Sequence, residues 1–116
     1  MSKSDDLEFI GHILGEVKFI LKTTEGLSEE SFINDELLKR AVVRAFEIIG
    51  QATKNLDMEF RYKYQGVPWK FMAGMRDILI HEYMGVDYNM VYKTAIEDIP
   101  ELDFQLDQII NEYYNE

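Results

Sequence analysis

The chain has no cysteine, and only two prolines, two histidines and one tryptophan among its 116 residues. Without cysteine there is no disulfide framework, no thiolate nucleophile and no cysteine-based zinc site. No apolar run approaches the ~20 residues that span a bilayer, so we expect no membrane segment. The first residues, MSKSDDLEF, carry charge where a signal peptide needs an apolar run. We therefore expect a cytoplasmic protein.

The charge is distributed unevenly along the chain, whose net charge is -10. Residues 39–76 hold eight basic and three acidic residues, a balance of +5, whereas residues 1–38 and 77–116 have balances of -6 and -9. The overall acidity should repel nucleic acid. A basic surface in the middle third could still bind phosphate in a salt-dependent manner. The simpler interpretation is a solvated helix face rich in lysine and arginine.

Hydrophobic periodicity predicts helices and no strands. Helices are expected over residues 5–24, 35–57, 68–85 and 88–97 and from residue 100 onwards, with a short helical turn at Ser28 and a short helix or loop over 58–67. These elements predict one all-α domain, residues 1–116, folded as an antiparallel bundle of four to five helices. Gly11, Gly15 and Gly50 lie inside helices, which predicts another helix packed closely against each.

The helix over residues 68–85 contains the strongest candidate site. Arg76, Asp77, His81 and Tyr83 lie within eight residues of one another. At 100° per residue all four turn away from the expected core face, which consists of Phe71, Met72, Met75, Ile78 and Leu79. Ala73 and Ile80 lie among the polar four, a mixture that suits a partner surface. A second copy packed on this face would bring two Arg76 and two His81 side chains to one cleft.

Such a cleft has groups suited to cleaving RNA without a metal. One His81 could take the proton from the ribose 2′-hydroxyl and the second could protonate the leaving 5′-oxygen. Arg76 could stabilise the charged phosphorane, and Asp77 could orient the imidazole of His81. An arginine and a histidine at this spacing are also common on ordinary helix surfaces.

Other residues are weaker candidates for contact with RNA. These are Arg44, Arg61, Lys63 and Lys70, of which Arg61 and Lys63 alternate with tyrosines that could stack on bases. The alternative is that Phe60, Tyr62 and Tyr64 cover an edge of the core while the cations remain in solvent. His12 lies on the same helix side as Glu8 and Glu16, which predicts a solvated ion pair. No metal-binding or dinucleotide motif is present, so we expect no cofactor and no metal ligand.

The segment R-D-I-L-I-H-E-Y, residues 76–83, resembles the signature of the HEPN superfamily, specifically its HepT-like toxin branch. In that signature a histidine follows the arginine by four to six places, and a tyrosine stands two places beyond. V-P-W before the helix, M-G-V-D-Y after it, I-P-E-L before the last helix and R-A-F-E-I-I-G-Q-A over residues 44–52 also resemble the family. The resemblance covers nearly the whole chain.

This resemblance implies a HEPN-like bundle that forms a homodimer through the motif helix. It implies an RNase toxin of a type VII-like toxin–antitoxin pair, neutralised when a minimal nucleotidyltransferase antitoxin adds AMP to Tyr83. Asp77 and Gln51 depart from the asparagine and glutamate that are frequent in the family, and Asp77 adds negative charge near the phosphate. Two alternatives remain: an inactive HEPN module that binds nucleotide or docks the nucleotidyltransferase, and a purely structural dimerisation bundle.

Overall fold

The computed structural model describes the backbone of residues 3–115 and the side chains of residues 5–115. This part of the chain forms no strand and folds into seven helices: α1 (Lys3–Thr24), α2 (Glu29–Asn34), α3 (Glu36–Asn55), α4 (Met58–Lys63), α5 (Trp69–His81), α6 (Tyr88–Glu97) and α7 (Ile99–Tyr114). The predicted all-α bundle is confirmed. The short helical turn predicted at Ser28 corresponds to α2, and the segment predicted as a short helix or loop over 58–67 contains the short helix α4; each has six residues. No helix in the described range is both long enough and apolar enough to cross a membrane.

Side-chain caps explain where several helices begin. The carboxylate of Asp35 accepts a hydrogen bond from the backbone N–H of Leu38 at 2.9 Å, so α3 begins at Glu36 rather than at Asp35. The carboxylate of Asp87 accepts a hydrogen bond from the backbone N–H of Met90 at 3.1 Å, which caps the start of α6. Both bonds satisfy donors that the first turn of a helix leaves without a partner.

The core forms where the apolar stripes of the long helices meet. The helical periodicity predicted for α1, α3 and α7 is confirmed by the buried residues Ile10, Ile13, Val17, Ile20, Val42, Ala45, Phe46, Ile49, Leu102, Leu106 and Ile109. Helix α5 buries Trp69, Met72, Met75 and Leu79. The prediction was wrong for Phe71 and Ile78, which are each 48% exposed. Helix α5 packs chiefly on α3, so only one side of it is covered.

Gly50 marks the place where α3 and α5 approach most closely. A Cβ atom at this position would overlap the Cβ of Arg76 and would lie 2.8 Å from the carbonyl oxygen of Met72. Glycine is therefore required by the crossing, as the sequence predicted. The same prediction was wrong for Gly11 and Gly15, because a Cβ at either would meet no atom of another helix of the described chain within 4 Å.

Alanine substitutions should separate these two kinds of helical glycine. We expect Gly50→Ala to lower the free energy of unfolding by roughly 1–3 kcal/mol, because the crossing has to open to admit the methyl group. Gly15→Ala should be neutral or should stabilise by up to about 1 kcal/mol, since alanine favours an exposed helix. Urea denaturation followed by circular dichroism measures both. Equal stability of Gly50→Ala and the wild type would contradict the close crossing.

Candidate functional site

Trp69 fixes the start of α5 against α4. Its indole Nε1 donates to the backbone oxygens of Tyr64 at 3.0 Å and Arg61 at 3.2 Å, and its ring lies 6.4 Å from that of Phe60. A buried tryptophan normally needs such a partner for its N–H group. The interaction holds α4 at the start of α5, whereas the motif begins at Arg76 in the second half of that helix.

Helix α4 accordingly places the aromatic and basic segment away from the motif. Phe60 is buried and Tyr64 packs against the core, which confirms the core-edge interpretation for these two rings. The interpretation was wrong for Tyr62, which is 75% exposed. Lys63 is exposed, as the same interpretation predicted for the cations. The 13 residues of α5 extend ~20 Å at 1.5 Å per residue. Arg61 and Lys63 therefore lie near one end of α5 and His81 at the other.

Helix α5 ends at His81, four residues before the predicted end at Gly85. The N–H of Glu82 donates to the carbonyl of Ile78 at 2.9 Å, and the N–H of Gly85 closes a turn onto Glu82 at 2.8 Å. Tyr83 thus follows the helix, so the angular position predicted for it does not apply. Both His81 and Tyr83 are exposed to solvent.

Arg76 occupies a more enclosed position at the crossing with α3. Its Cβ lies against Gly50, and its side chain is only 28% exposed. Arg76 lines an open groove of about 530 Å³ between α1, α3 and α5. The other lining residues are Phe9, Gly11, His12, Gly15, Glu16, Arg44, Glu47, Ile48, Gln51, Ala52, Asn55 and Ile80. The structure therefore brings Arg44 to the same groove as Arg76, whereas Lys70 is exposed near the start of α5.

His12 is a groove residue that sequence reasoning did not identify. Its ring meets Phe9 edge-on, with centroids 6.2 Å apart. Within the described chain neither Glu8 nor Glu16 comes within ion-pair distance of the imidazole, so the predicted ion pair was wrong. The available signal was the pair of flanking glycines, Gly11 and Gly15, which line the same groove and place no side chain in it.

The carboxylate of Asp77 is shared by two cations. Its Oδ1 accepts from Lys54 Nζ at 2.5 Å and from Arg76 Nη1 at 3.0 Å. The hydrogen bond from Lys54, followed by that from Arg76, lowers the pKa of the Asp77 carboxyl below its ordinary value. No bond to His81 accompanies these two in the described chain, so the supporting role of Asp77 toward the imidazole stays a prediction. Lys54 belongs to another helix, and no feature of the motif's own sequence connects it with Asp77.

The two principal candidates diverge within one chain. Arg76 and His81 are five residues apart on α5, which corresponds to ~7.5 Å along the helix axis and ~140° around it. Ile80, the residue before His81, lines the groove together with Arg76, whereas His81 is not among the lining residues. One chain therefore does not direct the guanidinium and the imidazole toward a common point.

Comparisons with known proteins agree on one family. A family model described as ribonuclease HepT-like matches residues 13–109. A candidate RNase of Caldanaerobacter subterraneus is 50% identical over 88% of this chain and 91% of its own length. One from Methanocaldococcus jannaschii is 43% identical over 97% and 93%, and a HepT ribonuclease candidate from Thermococcus cleftensis is 37% identical over 92% and 97%. No solved structure gives a significant match.

The ion pairs of Asp77 have a measurable consequence for pH dependence. Because the pKa of the folded carboxyl is lowered, its pairing stabilises the fold above the ordinary pKa and is lost as pH falls through the folded value. An NMR titration should give Asp77 a midpoint below the ordinary value. In Lys54→Met the midpoint should rise, since the larger of the two causes is gone. An unchanged midpoint in that variant would contradict the Lys54–Asp77 contact.

Proposed function

Because this chain belongs to the HepT-like ribonuclease family, we propose that it is the toxin of a type VII-like toxin–antitoxin pair and cuts RNA in the cleft of a homodimer. The divergence of Arg76 and His81 within one chain carries this proposal. The guanidinium and the imidazole must both reach one phosphodiester. Because they point in different directions in one chain, a second α5 related by a two-fold axis has to supply one of them. The reaction uses side chains alone and no metal.

Each residue has a distinct task in the proposed cleavage. One His81 accepts the proton of the ribose 2′-hydroxyl, whose oxygen attacks the adjacent phosphorus. The bond from phosphorus to the 5′-oxygen breaks, and the His81 of the second copy gives its proton to that oxygen. The products are a 2′,3′-cyclic phosphate and a 5′-hydroxyl. Arg76 stabilises the extra negative charge on the phosphoryl oxygens in the transition state.

The groove supports the placement of Arg76 in this scheme. Arg76 and Arg44 both line the groove, and its volume of about 530 Å³ lies within the range of small-ligand sites. The side chain of Arg76 is 28% exposed, and a charge that is partly shielded from water interacts more strongly with a phosphate than one in bulk solvent. In this scheme Arg44, which lines the same groove, holds a neighbouring phosphate of the RNA.

The surface beside His81 supports a partner chain. Ile78, Ile80 and Met84 are exposed apolar side chains around the end of α5. A cluster of exposed apolar groups mixed with arginine and histidine is typical of interfaces. In the proposed dimer these side chains flank the cleft and exclude water from it.

Cleavage by purified protein tests the nuclease proposal. In the presence of EDTA, we expect the wild type to cut RNA, and we expect His81→Ala or Arg76→Ala to lower kcat/KM by roughly 10²–10⁴-fold. Arg40→Ala is the matched control, because Arg40 is an exposed arginine of α3 that pairs with Glu36. Light scattering should give twice the mass of one chain. A fully active His81→Ala protein, or a monomer that cleaves RNA, would overturn the proposed mechanism.

One observation favours a second candidate, the inactive HEPN module. The carboxylate of Asp77 bonds the Arg76 guanidinium at 3.0 Å, and a carboxylate competes with phosphate for the same donors. In that case the dimer binds nucleotide or docks the nucleotidyltransferase without cutting RNA. Wild-type protein that binds RNA in the same assay and leaves it intact would favour this candidate.

We propose in addition that a minimal nucleotidyltransferase neutralises the toxin at Tyr83. The phenol oxygen would attack the α-phosphorus of ATP, pyrophosphate would leave, and a base of the transferase would take the phenol proton. Tyr83 is 76% exposed and lies just beyond the end of α5, so an enzyme can reach its hydroxyl. An adenylate there would add negative charge near His81 and obstruct the approach of RNA.

The chain offers a matched control for this modification. Tyr62 is 75% exposed but lies on α4, away from the motif. After incubation with the cognate nucleotidyltransferase and ATP, the wild type and Tyr62→Phe should gain the mass of adenylate, and Tyr83→Phe should not. Intact mass spectrometry measures the gain. Unreduced modification of Tyr83→Phe would exclude Tyr83 as the acceptor.

A further inference from the structure

We propose that Lys54 is a positioning residue of the nuclease site, which keeps Arg76 available for phosphate although a carboxylate stands next to it. The inference rests on the proposed function, since it concerns how Arg76 meets its substrate. Nothing in the local sequence of the motif indicates Lys54, which lies 23 residues before Asp77 at the end of α3. The role of Lys54 follows from its contact with Asp77, which forms only when α3 packs against α5.

The geometry makes Lys54, Asp77 and Arg76 one electrostatic unit. Both cations donate to the same oxygen, Asp77 Oδ1, with Lys54 Nζ at 2.5 Å and Arg76 Nη1 at 3.0 Å. The three side chains are only partly exposed, between 28% and 44%. Two positive charges and one negative charge leave the unit with a net charge of +1. Without Lys54, the Arg76–Asp77 pair would be neutral and would attract a phosphate weakly.

The bond to Asp77 also orients the guanidinium. A guanidinium has five N–H donors in one plane, and Asp77 engages it only through Nη1. No other residue of the described chain bonds the remaining donors of Arg76. Asp77 thus holds one edge of the guanidinium, and the other edge can meet phosphate oxygens. Lys54 draws charge density on Asp77 Oδ1 toward itself. The carboxylate therefore restrains the orientation of Arg76 without cancelling its positive charge.

A purely structural role for Lys54 predicts different behaviour. A cation in the last turn of α3 also interacts favourably with the helix dipole. Loss of that interaction would lower the urea midpoint of Lys54→Met by the same amount whether residue 77 is aspartate or asparagine. It would not change how RNA affinity depends on salt. The two roles are therefore separable by substituting residues 54 and 77 together.

The test is a double-mutant cycle with Lys54→Met, Asp77→Asn and the combined variant, and with Lys54→Arg as the conservative replacement. Cleavage of a short RNA is measured with variants that retain His81. Binding of the same RNA is measured by fluorescence anisotropy across a salt series in a His81→Ala background, where no cleavage interferes. Urea denaturation of each variant reports stability separately.

We expect Lys54→Met to lower kcat/KM by roughly 10–100-fold when residue 77 is aspartate, as for loss of a charge-assisted contact. In the Asp77→Asn background the same change should lower it by less than about threefold. Lys54→Arg should retain most of the activity, and Lys54→Met should reduce the salt slope of binding by about one.

The outcomes separate this inference from the proposed function. If the wild type cleaves RNA and Lys54→Met has equal effects in both backgrounds, the inference is overturned and the nuclease proposal stands. If the wild type only binds RNA and the effect on binding still depends on residue 77, Lys54 positions Arg76 in a binding module and the nuclease proposal fails. If the wild type neither cuts nor binds RNA, both are overturned.

Discussion

The close approach of α3 and α5 at Gly50 is the constraint on which the candidate site depends. Only glycine leaves room there for the carbonyl of Met72 and the Cβ of Arg76. The approach places Arg76 in the seam between two helices and limits its contact with water. It also brings Lys54, one helical turn beyond Gly50, to the carboxylate of Asp77. This close approach therefore places side chains of α3 beside Arg76 and Asp77.

The helices were predictable because their apolar residues recur with the helical period and each long helix has one buried side. Their ends were less predictable. Continuous apolar and polar patterning ran to Gly85, but the backbone N–H of Glu82 bonds to Ile78 and the chain leaves the helix after His81. The exposure of Phe71 and Ile78 was also missed, because periodicity shows that a stripe exists and not how much of it a neighbour covers.

The candidate site could be identified from the sequence only to the extent that its residues lie in one segment. Arg76, His81 and Tyr83 stand out through their spacing in one segment. His12 and Lys54 were not found, because each comes from a different helix and meets the site only after the chain folds. Gly50 was the one long-range signal that predicted its surroundings correctly, since its cost within a helix implied a close neighbour. No comparable rule indicates which lysine of that neighbour pairs with Asp77.

The charge of the whole chain is a poor guide to what happens at this site. The net charge of -10 opposes the long-range attraction of RNA. At physiological salt, however, exposed charges farther apart than ~8 Å are largely screened from one another. A phosphate within contact distance of Arg76 therefore responds mainly to Arg76, Asp77 and Lys54 and to the charged residues that line the same groove, Arg44, Glu16 and Glu47, and much less to the acidic helix α7. For this reason the charged side chains around Arg76, rather than the overall acidity, decide whether an aspartate beside the arginine is compatible with phosphate chemistry.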